Sequence, residues 1–569
     1  MLQFTIRLVL LAGFVVGPVA VLAVPPGETA APAANTWWEE IGVGSATGRG
    51  ISNDLYSSYN PSLAVGPDGE PIVAWENWGG QSGRWEIHVR RWNGSAWVEM
   101  GAGSASGGGI SHASGDSVNA SLAVGPDGLP VVAWQDNSSG QREIYVRRWN
   151  GSAWVELGAG SASGDGISHT SDQAEQPALA IGSNGLPVVA WADYGSGNSE
   201  IYVRQWNGST WQEVGVGSAS GGGISQTEGP SHEPAIAIGL DNAPVVVWEN
   251  YFLWSGRGEI YVRRWTGLVW SEMAGSASGG GISDTANEWS SSPSVAIDLN
   301  SAAVVTWNEW NASTYVRTYA RRWNGLAWVE MGGSASASGI GGDSSSTSSV
   351  AIGPDNAPVV AWEDRTNGYE IYVRRWSGSA WVEVGQGSAS DGGISNDSRT
   401  SQSPVLAIGR NGNPIVAWAN NSDDDAEIYL RRYAPKLAYV PLTVVLSCWP
   451  NAGESEPNNN TVQANGPICP GRAYAGLPDD RYDVFYLNAA AGPISINLAN
   501  HIGRGVQLQL HHERITSSPM AIDYTGADGY RLNVPNAPAG RYYVVISTQA
   551  PDSGATTRYT LTPTFTLSD

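Results

Sequence analysis

Between Trp37 and Tyr433 short apolar runs alternate with breaks rich in Gly, Asn, Asp and Ser, and the whole pattern returns seven times. One unit reads PSLAV, a GPDG break, PVVAWED, a variable loop, EIYVRRW, an NGS break, AWVEMG, and then GSASGGGIS. The runs are too short for helices and rich in β-branched and aromatic residues, so each predicts a strand. In the first copy these are Pro61 to Val65, Pro71 to Glu76, Glu86 to Trp92 and Ala96 to Gly101. The Gly- and Asp-bearing break predicts a tight hairpin, and the Asn-Gly of the second break predicts a type I′ turn. Asn93, Asn150 and Asn207 also fit a glycosylation acceptor pattern; their recurrence at one hairpin tip favours the turn reading.

The central tryptophans, Trp75, Trp134, Trp191, Trp248, Trp307, Trp362 and Trp418, recur every 55–59 residues. Four antiparallel strands per unit at such a period indicate a β-propeller blade. Ala64, Ala123, Ala180, Ala237, Ala296, Ala351 and Ala407 hold one place in all seven first strands, where innermost strands crowd toward an axis. The opening TWWEEIG (Thr36 to Gly42) matches the unit's last strand, and the seventh copy stops at EIYLRRY without one. Pairing Trp38 with the strand Glu427 to Tyr433 completes a seventh blade from both ends and removes two exposed sheet edges. The expected fold class is all-β: a seven-bladed β-propeller over 37–433, closed by an N-terminal strand.

Flanking segments change the picture in three ways. Residues 1–23 carry Arg7, an apolar run and small residues near Ala23, the pattern of a secretory signal peptide rather than of a spanning helix, with a linker over 24–36. The chain is therefore expected to be secreted or cell-surface, with no membrane span after cleavage. Cys448 and Cys469 are the two cysteines of the 569-residue chain, and an exported chain would pair them as a disulfide rather than keep two thiols. Closing that loop contributes about 3 kcal/mol in the chain-entropy account. A net charge of −23 disfavours nucleic acid and anionic lipid as partners.

Candidate chemistry lies on the face that carries the long loops, between strands two and three and between units. Its aromatics differ between copies: Trp78, Trp85, Tyr194, Tyr251, Phe252, Trp254, Trp289, Trp310 and Tyr369. Such rings stack on sugars, anchor protein partners, or simply cap blade ends. The repeated Glu and Arg of EIYVRRW, as in Glu143, Arg147 and Arg148, suit cross-strand pairing between neighbouring units rather than an active site, which needs one asymmetric constellation. The seven histidines show no metal spacing and are expected as solvated or hydrogen-bonded surface residues. Asp423, Asp424 and Asp425 lack the alternating spacing of a calcium loop. These features predict a non-catalytic recognition protein for an extracellular glycan or surface protein. The alternatives are a purely structural envelope role, or a secreted hydrolase, which requires one blade with paired carboxylates, such as Glu249 or Glu363 opposite another acid.

The repeat layout of Trp37 to Tyr433 resembles secreted bacterial propellers grouped with sialidase-like proteins, and also Trp-rich lectins, but it has no Ser-x-Asp-x-Gly-x-x-Trp boxes. After a connector over 434–453, ESEPNNNTVQANG, DDRYDVFYL and AGRYYVVI closely resemble the bacterial pre-peptidase C-terminal domain. That resemblance implies a small jelly-roll β-sandwich over 454–569. Short runs Asp483 to Leu487, Ile494 to Leu498, Val506 to Leu510, Tyr530 to Val534 and Tyr542 to Ser547 read independently as its strands. It also implies a Ca²⁺ site at Glu454, Glu456, Asn458, Asn459, Asp480 and Asp483, a mixed oxygen set of the kind calcium takes.

Overall fold

The computed structural model describes residues 37–435 apart from 80–82, 253–256, 285–287, 311–315, 367 and 422–424. Beyond 435 it describes 467–468, 474–476, 482–489, 491–499, 507–513, 519–523, 530–547 and 559–565. Residues 1–23, expected as a signal peptide, and Trp254, Asp423, Asp424, Cys448, Cys469, Glu454, Glu456, Asn458, Asn459 and Asp480 lie outside these residues. The chain divides into two compact units at 437/438.

The first unit consists of four-stranded antiparallel sheets, the arrangement of propeller blades. Its first sheet runs Ser58–Val65, Pro71–Trp78, Trp85–Trp92 and Trp97–Glu99 in spatial order. The sheet holding Thr400–Ile408, Pro414–Asn421 and Ala426–Tyr433 takes its fourth strand, Trp38–Glu40, from the other end of the unit. There Trp38 pairs with Tyr433 and Glu40 with Arg431. First strands of successive sheets touch one another, and Ser58–Val65 also touches Thr400–Ile408.

Second strands are the most buried element, which explains their unbroken apolar run: both faces are covered by neighbouring sheets. Each central Trp is fully buried and, in six sheets, meets a Tyr edge-on, as Trp134 meets Tyr145 at 6.0 Å. His88 occupies that Tyr position against Trp75 and is 2% exposed, so the surface role expected of it is corrected. Burial drives its imidazole down to about 4, leaving it neutral.

Three local expectations need correction. First strands begin three residues earlier than the apolar run, because they continue across a β-bulge. The bulge residue takes positive φ in every sheet: Asn60, Asn119, Gln176, Glu233, Ser292, Thr347 and Ser403. At the NGS tips only Gly94 has positive φ of the two central residues, which is the pattern of a II′ rather than a I′ turn. Asn93 instead caps the tip, its Oδ1 accepting the Ser95 and Ala96 amides at 2.9 Å. Finally, Glu143 and Arg147 do not pair. Register places Glu143 opposite Asp136, at the far end of the strand, where its carboxylate accepts the Ser168 hydroxyl. Arg147 donates to the Ile110 carbonyl of the preceding inter-sheet loop, and Arg148 pairs with Asp127.

The second unit is two four-stranded sheets. One holds Tyr474–Gly476, Tyr559–Thr564, Gly492–Ala499 and Tyr530–Ala537; the other holds Tyr482–Ala489, Gly540–Ser547, Gln507–His512 and Ala521–Asp523. Phe485, Leu487, Ile496, Leu498, Leu510, Tyr542 and Val544 form one core between them. Inward residues alternate along each strand, as a sandwich requires.

Candidate active site at the mouth of the channel

The bulge residues and their successors line a cavity of about 410 Å³ that draws on every sheet of the first unit. Because each bulge lies where the first strand begins and the second ends, the cavity opens among the long loops. A bulge turns its residue out of the pleat, and here it brings seven side chains of five kinds to one cavity.

Bonds between neighbouring sheets tie this ring. Glu76 accepts the Asn119 amide of the next sheet and the Asn60 side chain. Gln135 accepts the Gln176 amide at 3.3 Å and the Asn119 side chain at 3.1 Å. In the third sheet the corresponding residue is Ala192, too short to reach, and the Gln176 side chain itself accepts the Glu233 amide at 3.0 Å. Glu233 in turn accepts the Ser292 amide at 2.9 Å.

That substitution displaces Glu249, the counterpart of Glu76. Instead of a backbone amide it accepts the Trp289 indole N–H at 2.6 Å. Burial, and then the nearby Glu233 carboxylate, push Glu249 up to about 8, while the indole bond works in the opposite direction. A second departure lies one sheet on. Glu309 accepts the Trp307 indole at 2.9 Å, and burial together with a hydrogen bond to Glu288 pushes it up to about 9. Asp136 and Asp193 take the same indole bond in other sheets, so Glu309 serves chiefly as a tryptophan anchor.

The described aromatics expected to bind ligand fall into four groups on the long-loop side, outside the residues that line the cavity. Trp78 and Trp85 pack edge-on at 5.2 Å. Tyr194 reaches His232 Nδ1 at 3.4 Å. Tyr251 lies 5.6 Å from Trp289, whose strand partner is Trp310. Tyr369 flanks Arg365. Trp78, Trp289 and Trp310 remain 36–42% exposed, enough to stack on a ligand, whereas Phe252 packs on the core residue Tyr261. The bulge residues and the Glu249–Glu233 relation escaped sequence reading. Their one signal was the polar residue before the first strand's apolar run, which changes from copy to copy and is followed by Pro in five of the seven, with Ala120 and Ser348 in the other two.

In the second unit Asp483 is buried within its strand. The other five residues expected to hold calcium lie outside the described ones. Among the described residues no group of three acids, histidines or cysteines could hold a metal ion. No described helix is long and apolar enough to cross a membrane.

No family model matches the chain. No curated protein matches it. Among solved structures, an ulvan lyase matches over 66% of this chain and 93% of its own, at 13% identity and a TM-score of 0.42. An α-L-arabinanase of Penicillium chrysogenum matches over 56% and 92%, at 13% and 0.35. The pre-peptidase C-terminal domain of a Bacillus anthracis collagenase matches over 19% of this chain and 99% of its own, at 27% and 0.16. The propeller-like all-β fold is common to the first two. Both act on carbohydrate, and the expectation of a non-catalytic recognition protein is corrected on that finding. At these scores the matches transfer no residue and no substrate to this chain. Glu233 and Glu249 stand on the first and second strands of the fourth sheet, the charge of Glu233 acting on Glu249.

Proposed function

We propose that this chain is a glycoside hydrolase whose reaction centre is Glu249 and Glu233, at the long-loop mouth of a closed seven-bladed propeller. Closure is supported by the antiparallel sheet built from both ends of the first unit and by the cavity shared among its seven sheets. The observation that carries the activity is buried Glu249, held by the Trp289 indole rather than by a backbone amide and pushed up to about 8 by burial and by Glu233, which itself lines the cavity. Environments that drive two such groups apart assign acid and base.

In the step proposed, the Glu249 proton passes to the glycosidic oxygen as its bond to the anomeric carbon breaks. Water adds to that carbon and loses its proton to Glu233, or Glu233 first forms the bond and water then displaces it. The exposed rings of Trp289, Trp310 and Trp78 supply stacking surfaces for flanking sugars. An exported location, supported by the leader pattern of 1–23, suits a polymeric substrate. The second unit is read as an accessory sandwich of the pre-peptidase C-terminal type, supported by its three ordered motifs.

The test is reducing-end release by the purified chain from a panel of plant and algal polysaccharides. Release from at least one polymer, lowered about 10²–10⁴-fold by Glu249→Gln, is expected. A panel with no release, or one cleaved equally by the variant, overturns the reading.

A further inference from the structure

The residue three places after each central Trp lies within one residue of the second strand's end, on the long-loop side. In chain order these are Trp78, Asn137, Tyr194, Tyr251, Trp310, Arg365 and Asn421. Four are aromatic, two are amides and one is a cation. Arg365 is held from three sides. Its guanidinium lies 5.4 Å from the Trp310 ring centre and 5.5 Å from that of Tyr369. Its Nε donates to Glu363 Oε1 at 3.3 Å, and Glu363, buried, also accepts the Ser346 hydroxyl. Tyr369 adopts a left-handed backbone (φ 69°) while its carbonyl accepts the Ser401 amide, so the loop presenting the ring is itself pinned.

Among the described residues, Arg91, Arg148, Arg264, Arg317, Arg322, Arg375 and Arg432 pair with carboxylates from the third strand, and Arg142 does so from the loop before it. Arg365 alone stands on the mouth ring. Among the described residues its two Nη groups have no acceptor within the protein, and its side chain is 34% exposed. A planar guanidinium fixed at Nε and on its ring-facing surfaces offers its remaining donors as a preset fork. That fork matches the paired oxygens of a carboxylate or a sulfate ester.

We infer that Arg365, with Trp310 and Tyr369, forms an anion subsite of the channel mouth, and that the substrate is an acidic polysaccharide carrying carboxylate or sulfate groups. This deepens the hydrolase reading and rests on it for the position of the glycan. Stacking by Trp310 holds the sugar ring while the Nη fork pairs with its anionic substituent. The ion pair with Glu363 orients the guanidinium.

The test uses the full chain bearing Glu249→Gln, so that binding is read without turnover. Affinity electrophoresis is run through gels containing polygalacturonate, a sulfated galactan, or neutral arabinan. Retardation by one of the two acidic polymers is expected, with the retarding polymer identifying the anion. Arg365→Gln should weaken it about tenfold, and Arg365→Lys, a point charge without the fork, should fall between. Migration in arabinan should not change. Equal retardation of the Gln variant, or retardation by arabinan alone, overturns the inference. Hydrolysis of neutral polymers only would sink the anion subsite while leaving the hydrolase reading intact. Binding of an acidic polymer with no cleavage by the wild type would do the reverse.

Discussion

The indole Nε1 of Trp38 donates to the Val384 carbonyl at 2.9 Å, across 346 residues of sequence. The same bond recurs between successive sheets, from Trp97 to Ile41, Trp154 to Met100, Trp211 to Leu157, Trp270 to Val214, Trp328 to Met273 and Trp381 to Met331. Each fourth-strand tryptophan thus grips the sheet before it, and Trp38 supplies the grip that joins the two ends of the unit. Trp38→Ala should therefore cost about 3–5 kcal/mol in urea unfolding, the range for an emptied Trp site. Trp38→Phe, which keeps most of the ring but loses the N–H, should cost about 1 kcal/mol of hydrogen bonding plus a smaller packing loss. Equal stability of all three proteins would mean the ends are not held this way.

The GSASGGGIS loop ends against the neighbouring third strand through its last glycine. Gly166 has φ 59°, and a Cβ there would meet the Ile144 carbonyl oxygen at 2.3 Å, the group that accepts the Ile167 amide. Gly166→Ala should lower stability by about 1–3 kcal/mol, because backbone strain adds to a clash that no rotamer relieves. Gly164→Ala is the control: it carries the same positive φ with open space around it. A loss at Gly166 no greater than at Gly164 would remove the steric part of the argument.

Stability should depend on pH through the repeated Glu–Ser pairs. Burial pushes Glu143, Glu370 and Glu427 up to about 7, against the pull of the hydroxyls of Ser168, Ser395 and Ser52. The folded chain then binds more protons than the unfolded one between the ordinary glutamate range and about 7. Their contribution is full below that range and is lost as pH rises through about 7. Glu156 acts oppositely: burial raises it, but the Ser163 hydroxyl, the Gly160 and Ala162 amides and Arg147 together hold it below its ordinary value. Its contribution is lost as pH falls through that lowered value. Replacing Glu143 and Glu370 by Gln should flatten the fall of Tm between mildly acidic and neutral pH. An unchanged slope would contradict the assignment.

Much of the propeller-like architecture was legible because it is written seven times. The strand pattern, the Trp spacing and the fourth strand displaced to the N-terminus all follow from the repeat itself. Function was harder to read for the same reason. Sequence offers Glu249, with Glu363, as a carboxylate a hydrolase could use, but not its relation to Glu233, which depends on the short Ala192 one sheet earlier and on Glu233 accepting the Ser292 amide. His88 misleads by residue type, although the EIHVRRW strand puts it at the position that Tyr145 holds in EIYVRRW. Arg365 was overlooked because sequence places it in a loop, while its meaning comes from Trp310 of the adjacent sheet.

The Trp289 indole bond lowers the Glu249 carboxyl, and its loss should be visible in catalysis. Trp289→Phe should carry the alkaline limb of the pH–rate profile to higher pH, since burial and Glu233 would then act unopposed. A limb that moves to lower pH, or does not move, would detach Trp289 from the acid.

The central claim is that a proton held on Glu249 drives glycosidic cleavage. Its most direct measurement is the rate of reducing-end release from acid to alkaline pH, for the wild type and Glu249→Gln side by side. The account predicts a wild-type rate that falls above about pH 8, where Glu249 loses its proton, and a variant about 10²–10⁴-fold slower whose residual rate shows no such fall. A wild-type rate that stays level through that region, or a Gln variant that keeps pace with it, would contradict the claim.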